Sequence, residues 1–238
     1  MTTPTTVRPR RSVLYVPGSN ARALEKARTL PVDGLILDLE DAVVLPKVEA
    51  PDEVRAAERA LAAAGAPNGL ALWCMVETPR GVLAAAEVAA ASPRLAVLVM
   101  GTSDLVKDLR ARHTPGRSEV LVALGTVLLA ARAHGLAALD GVHLDLADDA
   151  GFEAACRQGR DLGFDGKTLI HPKTADVANR IFAPSEAELV EARRIIAAHA
   201  EAEAAGRGVV VVDGRLVEAL HVEAARRLVA LAEAVASR

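Results

Sequence analysis

Leu95-Ala-Val-Leu-Val-Met-Gly-Thr-Ser-Asp104 is an unbroken apolar run that ends in a glycine and, one helical turn on, an acid. A run with no polar alternation suits a strand buried on both faces, as parallel sheets require. Leu70-Ala-Leu-Trp-Cys-Met-Val76, followed by Glu77-Thr-Pro-Arg80, repeats the arrangement just upstream. Working outward, five shorter runs read the same way: 13–16, 34–37, 43–45, 141–144 and 167–170. Amphipathic stretches at 21–29, 52–64, 82–91, 118–134, 150–162 and 175–180 lie between them and read as helices. Asp52 and Ser118 are expected as N-caps, and Gly65 and Gly135 as helix stops. This alternation is the signature of an α/β fold built of βα units around a parallel sheet.

The polar residues gather just after the strand runs. They include Pro17-Gly-Ser-Asn20, Asp38-Leu-Glu-Asp41, Glu77, Asp104, Asp145 and His171-Pro172. Parallel α/β folds bind ligands at the carboxyl ends of their strands, so a (β/α)8 TIM barrel with its site on that face is expected. The count is one short, with seven strand seeds where a closed barrel has eight. The acids of 38–41 also run into Val44-Leu-Pro-Lys-Val48 with no helix between, although a parallel crossover needs about a dozen residues or more. Either the sheet is incomplete or a strand–helix segment is missing at the junction of Val43 and Val44. Residues 1–183 are expected to form the barrel domain. Residues 184–238 form a C-terminal appendage: a long Ala/Glu-rich helix, a short strand with an Asp213-Gly214 turn, and a last amphipathic helix.

Composition narrows the function classes. The chain has 238 residues, of which 51% are hydrophobic and 25% charged, which suits a folded protein with a large core. A net charge of −3 and only 2% aromatics argue against nucleic-acid or membrane partners. Two distant cysteines, Cys74 and Cys156, make no disulfide framework or metal motif, so a reducing, cytoplasmic location is expected. No run is long enough to cross a membrane, and the polar, basic start lacks the apolar core of a leader.

Glu77 and Asp104 follow consecutive strands and should meet at one rim. One or two carboxylates with open positions suit Mg2+, whose remaining ligands are waters and an oxygen-rich substrate. The same spacing also suits helix caps or strand-end acids. Asp38 and Asp41 could orient a cation or metal-bound water, and Glu40 reads equally as a solvated loop acid. Arg22 and Lys26 lie one turn apart behind a glycine turn, a pattern that suits phosphate groups and also an ordinary wet helix face. Arg8, Arg10 and Arg11 read as a solvated arm, His171 as a hydrogen-bonding structural residue, and His143 as a partnered core histidine inside a strand.

In order, the segments resemble the citrate lyase β-subunit-like branch of the HpcH/HpaI aldolase superfamily. They are Arg11-Ser-Val-Leu-Tyr-Val-Pro-Gly18, Leu35-Ile-Leu-Asp-Leu-Glu-Asp-Ala42, Val44-Leu-Pro-Lys-Val-Glu49, Val76-Glu-Thr-Pro-Arg-Gly81, Met100-Gly-Thr-Ser-Asp-Leu105, Leu139-Asp-Gly-Val-His-Leu-Asp145, Gly163-Phe-Asp-Gly-Lys-Thr-Leu-Ile-His-Pro172 and Phe182-Ala-Pro-Ser185. Within it, Gly101-Thr-Ser-Asp-Leu-Val-Lys-Asp-Leu109 and the Ala-rich tail are most similar to the malyl-CoA lyase and malyl-CoA thioesterase group. The resemblance implies a homotrimer or hexamer that cleaves or forms C–C bonds of 3-hydroxyacyl-CoA thioesters with Mg2+. It implies metal binding by Glu77 and Asp104, and CoA-ester contacts from Tyr15, Arg22, Lys26 and the Thr168–Leu169 backbone. It implies an acid/base on the C-terminal segment of a neighbouring subunit, where this chain has Glu218 in place of the family's Asp. Relatives carry roughly 50–60 further residues at the short junction, among them an Arg-x-Asn strand that clamps the substrate carboxylate. The intact motifs on both sides favour a segment left out of an otherwise complete enzyme. The expected activity is a CoA-ester lyase; a malyl-CoA thioesterase, a CoA-independent aldolase of pyruvate-type donors and a non-catalytic CoA-ester-binding relative are the alternatives.

Overall fold

Six of the seven apolar runs become strands of one parallel sheet in the computed structural model, which describes residues 8–16, 21–37, 42–206 and 210–237, and the seventh strand forms just before the run expected for it. The strands are β1 (Ser12–Val16), β2 (Gly34–Leu37), β3 (Ala42–Leu45), β4 (Ala71–Val76), β5 (Leu95–Met100), β6 (Ala137–Asp140) and β7 (Gly166–Leu169). The helices are α1 (Ala21–Ala27), α2 (Pro51–Ala63), α3 (Pro79–Leu83), α4 (Ala85–Ala89), α5 (Thr102–Asp108), α6 (Leu121–Ala133), α7 (Asp149–Leu162) and α8 (Ala175–Phe182). The sheet order is β2-β1-β7-β6-β5-β4-β3, so the first strand pairs with the last, as in a barrel. The sheet stays open only between β2 and β3. It is a TIM-barrel-like ring with one place vacant.

The period of two along each strand divides the core. Val13, Ile36, Trp73, Val97, Val99 and Leu139 form a cluster of strand residues alone, the interior of the ring. Their neighbours Leu14, Leu72, Cys74, Leu98 and Met100 pack outward against helical residues such as Leu124, Val127 and Phe152.

Several local expectations shift. The strand expected at 141–144 lies four residues earlier, at β6, because its last residue, Asp140, is taken into the sheet by cationic partners. His143 is consequently in the following loop, and its buried Nε2 has no hydrogen-bond partner. The helix expected over 82–91 is two short helices, α3 and α4, meeting at Ala84. Asp52 is not the cap of α2: Pro51 takes the first position, where its missing N–H costs nothing, and Ala50 precedes it. Ser118 lies before α6, whose N-cap is Val120. Gly65 and Gly135 do end helices, both at φ 69°. Val43 and Val44 sit together inside β3, paired with Leu72 and Trp73, so the opening precedes Ala42 and does not split them.

The residues from Ala183 on form a second compact unit, separate from Arg10–Phe182. Its first helix, α9 (Glu186–Ala204), opens with a reciprocal capping box between Ser185 and Glu188. β8 (Val210–Val212) and β9 (Arg215–Val217) form an antiparallel hairpin where the sequence suggested one strand. Asp213 and Gly214, at φ 48° and 76°, supply the two left-handed turn residues. The last helix, α10 (Ala219–Ala236), packs on α9, with Val212, Val217 and Val222 buried beside Ile195 and Ile196.

Candidate active site at the carboxyl ends of the strands

Glu77 directly follows β4, and Asp104 sits in the first turn of α5, just past β5. Neither is a helix cap: α3 is capped by Thr78, whose hydroxyl accepts from the Gly81 N–H, and the N-cap of α5 is Gly101. Because β4 and β5 pair in register to Val76 and Met100, their ends carry the two acids to one place. Glu77 is only 5% exposed. Burial pushes its carboxyl above the ordinary range, the neighbouring Asp104 carboxyl adds to the rise, and a hydrogen bond from the Lys47 backbone opposes it. An acid held buried beside a second acid is a costly arrangement, and such arrangements gather at functional sites.

Two glycines make room for the pair. A Cβ on Gly101 would overlap that of Glu77 and lie 2.6 Å from its Oε2. A Cβ on Gly81 would overlap the Val48 carbonyl oxygen, so the glycine lets α3 approach the turn after β3 closely. That turn carries Lys47 in a left-handed conformation (φ 49°), with its N–H 2.9 Å from Glu77 Oε1 and its ammonium 3.2 Å from Asp104 Oδ1. Lys47 is a site residue that sequence reasoning passed over; the signal was a lysine just past a strand end, inside the Leu-Pro-Lys segment.

Tyr15 on β1 reaches toward the same centre. Burial, then the charge of Glu77, pushes its phenol well above the ordinary range, while a Thr168 hydrogen bond pulls it down. Thr168 and Leu169, on β7, are 1% exposed; the Thr168 hydroxyl donates to the Asp140 carbonyl at 3.1 Å, and Leu169 packs in the core. Arg22 and Lys26 are exposed on α1, away from any ion pair among the described residues. Asp38, Glu40, Asp41 and 17–20 lie outside the described residues. Glu218, in the C-terminal unit, precedes α10 and shares a capping box with His221, whose Nδ1 accepts the Glu218 N–H at 3.0 Å. His171 is a turn residue, its Nδ1 accepting from the Lys173 N–H.

Behind the rim lies a charged cluster that sequence reasoning also missed. Asp140 and Lys167 are fully buried on paired strands, with Lys167 Nζ 2.8 Å from Asp140 Oδ2. The Arg117 guanidinium grips the same carboxylate through both nitrogens. Burial raises the Asp140 pKa, but the two cations outweigh it and hold the carboxyl below the ordinary range; burial also pulls the Lys167 ammonium down. The one local trace of it was Lys167, a charge at the head of a strand run. A cavity of about 300 Å³ opens beside the cluster, lined by Thr102, Arg117, His143 and Lys167 among others.

The acid pair fits a divalent ion of the Mg2+ kind. Its donors are all oxygen, no group of three or more His, Cys, Asp or Glu ligands exists among the described residues, and the remaining positions fall to water and substrate. A barrel-like fold with such a pair at the carboxyl ends of neighbouring strands defines a class of metal-assisted α/β-barrel enzymes. Comparison then gives the family. The family model for HpcH/HpaI aldolase/citrate lyase matches residues 11–65 and 41–172, two stretches that overlap just past the open junction, and the chain belongs to this family. It is 46% identical to a (3S)-malyl-CoA thioesterase of Cereibacter sphaeroides, over 96% of each chain. It is 30% identical to the citrate lyase subunit beta of Escherichia coli, over 95% of this chain and 94% of the relative. The crystal structure of CitE from Mycobacterium tuberculosis in complex with magnesium, acetoacetate and coenzyme A superposes with a TM-score of 0.67 at 30% identity, over 95% of this chain and 80% of that one. The alignment with the thioesterase runs to 282 positions against the 238 residues here, so the relative carries residues with no counterpart in this chain.

Proposed function

We infer that this enzyme hydrolyses the thioester of a 3-hydroxyacyl-CoA of the malyl-CoA type. The observation that carries the reading is the 46% identity to (3S)-malyl-CoA thioesterase across 96% of each chain, with Glu77 and Asp104 brought together. Glu77 and Asp104 hold Mg2+, which supplies positive charge for an oxyanion developing on the substrate. Gly101 keeps the rim open at the pair, and Tyr15 closes the wall toward β7. Arg22 and Lys26 take the phosphates of CoA, and the Thr168–Leu169 backbone lines the path of the thioester. Water adds to the thioester carbonyl, the C–S bond breaks, and the CoA sulfur leaves as thiol with a proton.

Glu218 of a neighbouring copy is the acid/base in this reading, delivered within a homotrimer or hexamer in the cytoplasm. One methylene longer than Asp, it reaches farther, and an ångström of misplacement matters at this step. The domain boundary near 183 follows the same logic, with the barrel carrying the metal and the C-terminal unit the proton donor. The citrate lyase β relatives favour a second reading, retro-Claisen cleavage to acetyl-CoA and a keto acid on the same ligands.

Incubation with malyl-CoA and Mg2+ separates the two. Release of free CoA thiol with malate, dependent on Mg2+ and abolished in Glu77→Ala, is the expected result. Acetyl-CoA accumulating without free thiol assigns the lyase, and no turnover with either product overturns both. Replacement of Arg22 and Lys26 by Ala raises KM for the CoA ester; an unchanged KM removes these two residues from CoA binding.

A further inference from the structure

A charge at the proposed site remains unanswered. Two carboxylates and a divalent ion sum to zero, so the acid group of the substrate arrives with its own negative charge unmatched. The structure holds one cation against the acid pair among the described residues. The ammonium of Lys47 is 3.2 Å from Asp104 Oδ1, with its side chain 58% exposed. The backbone of the same residue is fixed separately: its N–H donates to Glu77 Oε1 at 2.9 Å from a left-handed turn at φ 49°. One residue therefore touches both acids, by a rigid contact and by a movable one.

The movable contact is of the kind that exchanges readily. An ion pair between exposed side chains is weak, and a lysine on a four-carbon stem presents its charge over a range of positions. The left-handed backbone is also informative. Gly or Asn takes that conformation without the strain a lysine meets, and strain of this sort gathers at functional sites. A residue serving only the turn would be short; this one places a long cation beside the metal acids.

We propose that Lys47 binds the substrate, its ammonium passing from Asp104 to the free carboxylate of the hydroxy acid when the metal site fills. The proposal rests on the metal-dependent reading above and names the residue that holds the acid end of the substrate.

The test uses the full chain and two titrations by calorimetry, Mg2+ alone and then L-malate at saturating Mg2+. Lys47→Asn removes the charge while keeping a residue that suits the left-handed turn, Lys47→Gly does the same with no side chain, and Lys47→Arg restores a cation. The expected result is Mg2+ affinity within threefold of the parent in all variants, malate binding at least tenfold weaker in Lys47→Asn and Lys47→Gly, and partial recovery in Lys47→Arg. Malate binding within twofold of the parent, with Mg2+ binding intact, overturns the role of Lys47 and leaves the metal-dependent reading standing. Loss of Mg2+ affinity in both the Asn and Gly variants also overturns it, because Lys47 then acts by shaping the acid pair. A parent protein that binds no Mg2+ overturns both readings together.

Discussion

Gly101→Ala tests the site at its narrowest point. The added methyl would lie 2.6 Å from Glu77 Oε2 and overlap Glu77 Cβ. An ordinary contact is about 3.5 Å, so Glu77 has to move by about 1 Å or the first turn of α5 has to swing away with Asp104. Neither movement is free. Glu77 is pinned by the Lys47 N–H, and Gly101 N donates to the Val76 carbonyl at 3.0 Å, tying the two strand ends together. The cost to stability is that of an overpacked core position, about 1–3 kcal/mol. The cost to turnover is larger in proportion, because a misplacement of about 1 Å at reacting groups lowers rate by about 100-fold, or about 2.7 kcal/mol in the barrier. Backbone strain is not the cause, since Gly101 sits at φ −98°, which alanine adopts. Thiol release from malyl-CoA across a Mg2+ series, with thermal unfolding of the same samples, reads both effects. A folded Gly101→Ala protein with activity and Mg2+ midpoint within twofold of the parent refutes the claim that Glu77 and Asp104 must be held in contact.

Two further perturbations separate site from scaffold. Glu77→Gln keeps an oxygen to accept the Lys47 N–H but removes a buried charge. Because the Glu77 carboxyl titrates above its unfolded value, the folded state gains stability as pH falls through that raised range and carries the burden of the charge above it. The variant is therefore expected to melt higher than the parent at pH 7 without metal and to lose the parent's stabilisation by Mg2+; a lower melting point would contradict this. Asp140→Asn acts oppositely, leaving Lys167 and Arg117 as buried, unanswered cations at about 3–5 kcal/mol, read as the shift in urea unfolding. The Asp140 carboxyl is held below its unfolded value, so its stabilisation is present above about pH 4 and is lost as pH falls through its lower folded range. The difference between parent and variant should narrow in acid.

Legibility from sequence followed burial. β2 and β5 were readable to the residue, because uninterrupted apolar runs such as Leu95–Met100 have no alternative home. β6 was displaced because the apolar reading began the strand after Asp140, whereas pairing with Lys167 and Arg117 lets that carboxylate lie inside the sheet. That pairing joins residues far apart in the chain, so no local pattern reports it. Likewise, Asp213-Gly214 announced a turn, but the partner strand Arg215–Val217 shows little alternation of its own and is defined by Val210–Val212 across from it. Glu77 and Asp104 were legible as strand-end acids; Lys47 was not, because its place at the pair depends on one left-handed residue after β3.

The open place in the ring bears on where stability is stored. β3 is bonded to β4 on one side only and β2 to β1 on one side only, whereas β4, β5, β6, β7 and β1 each have two neighbours. An edge strand leaves one row of backbone groups to solvent, and strands with few buried contacts open at low free energy. β3 is also the strand that delivers Lys47, so the least supported strand borders the acid pair while β4 and β5, which carry the acids, are held on both flanks. Amide exchange should show this as a gradient, with amides of β5 and β6 exchanging only through global unfolding and those of β2 and β3 exchanging orders of magnitude faster. Mg2+ should slow exchange in the turn after β3, because metal bound by Glu77 stabilises the conformer in which the Lys47 amide is bonded. Equal protection across all seven strands would mean that the row of open edge groups is covered, and the ring is closed in solution by something beyond this chain's own strands.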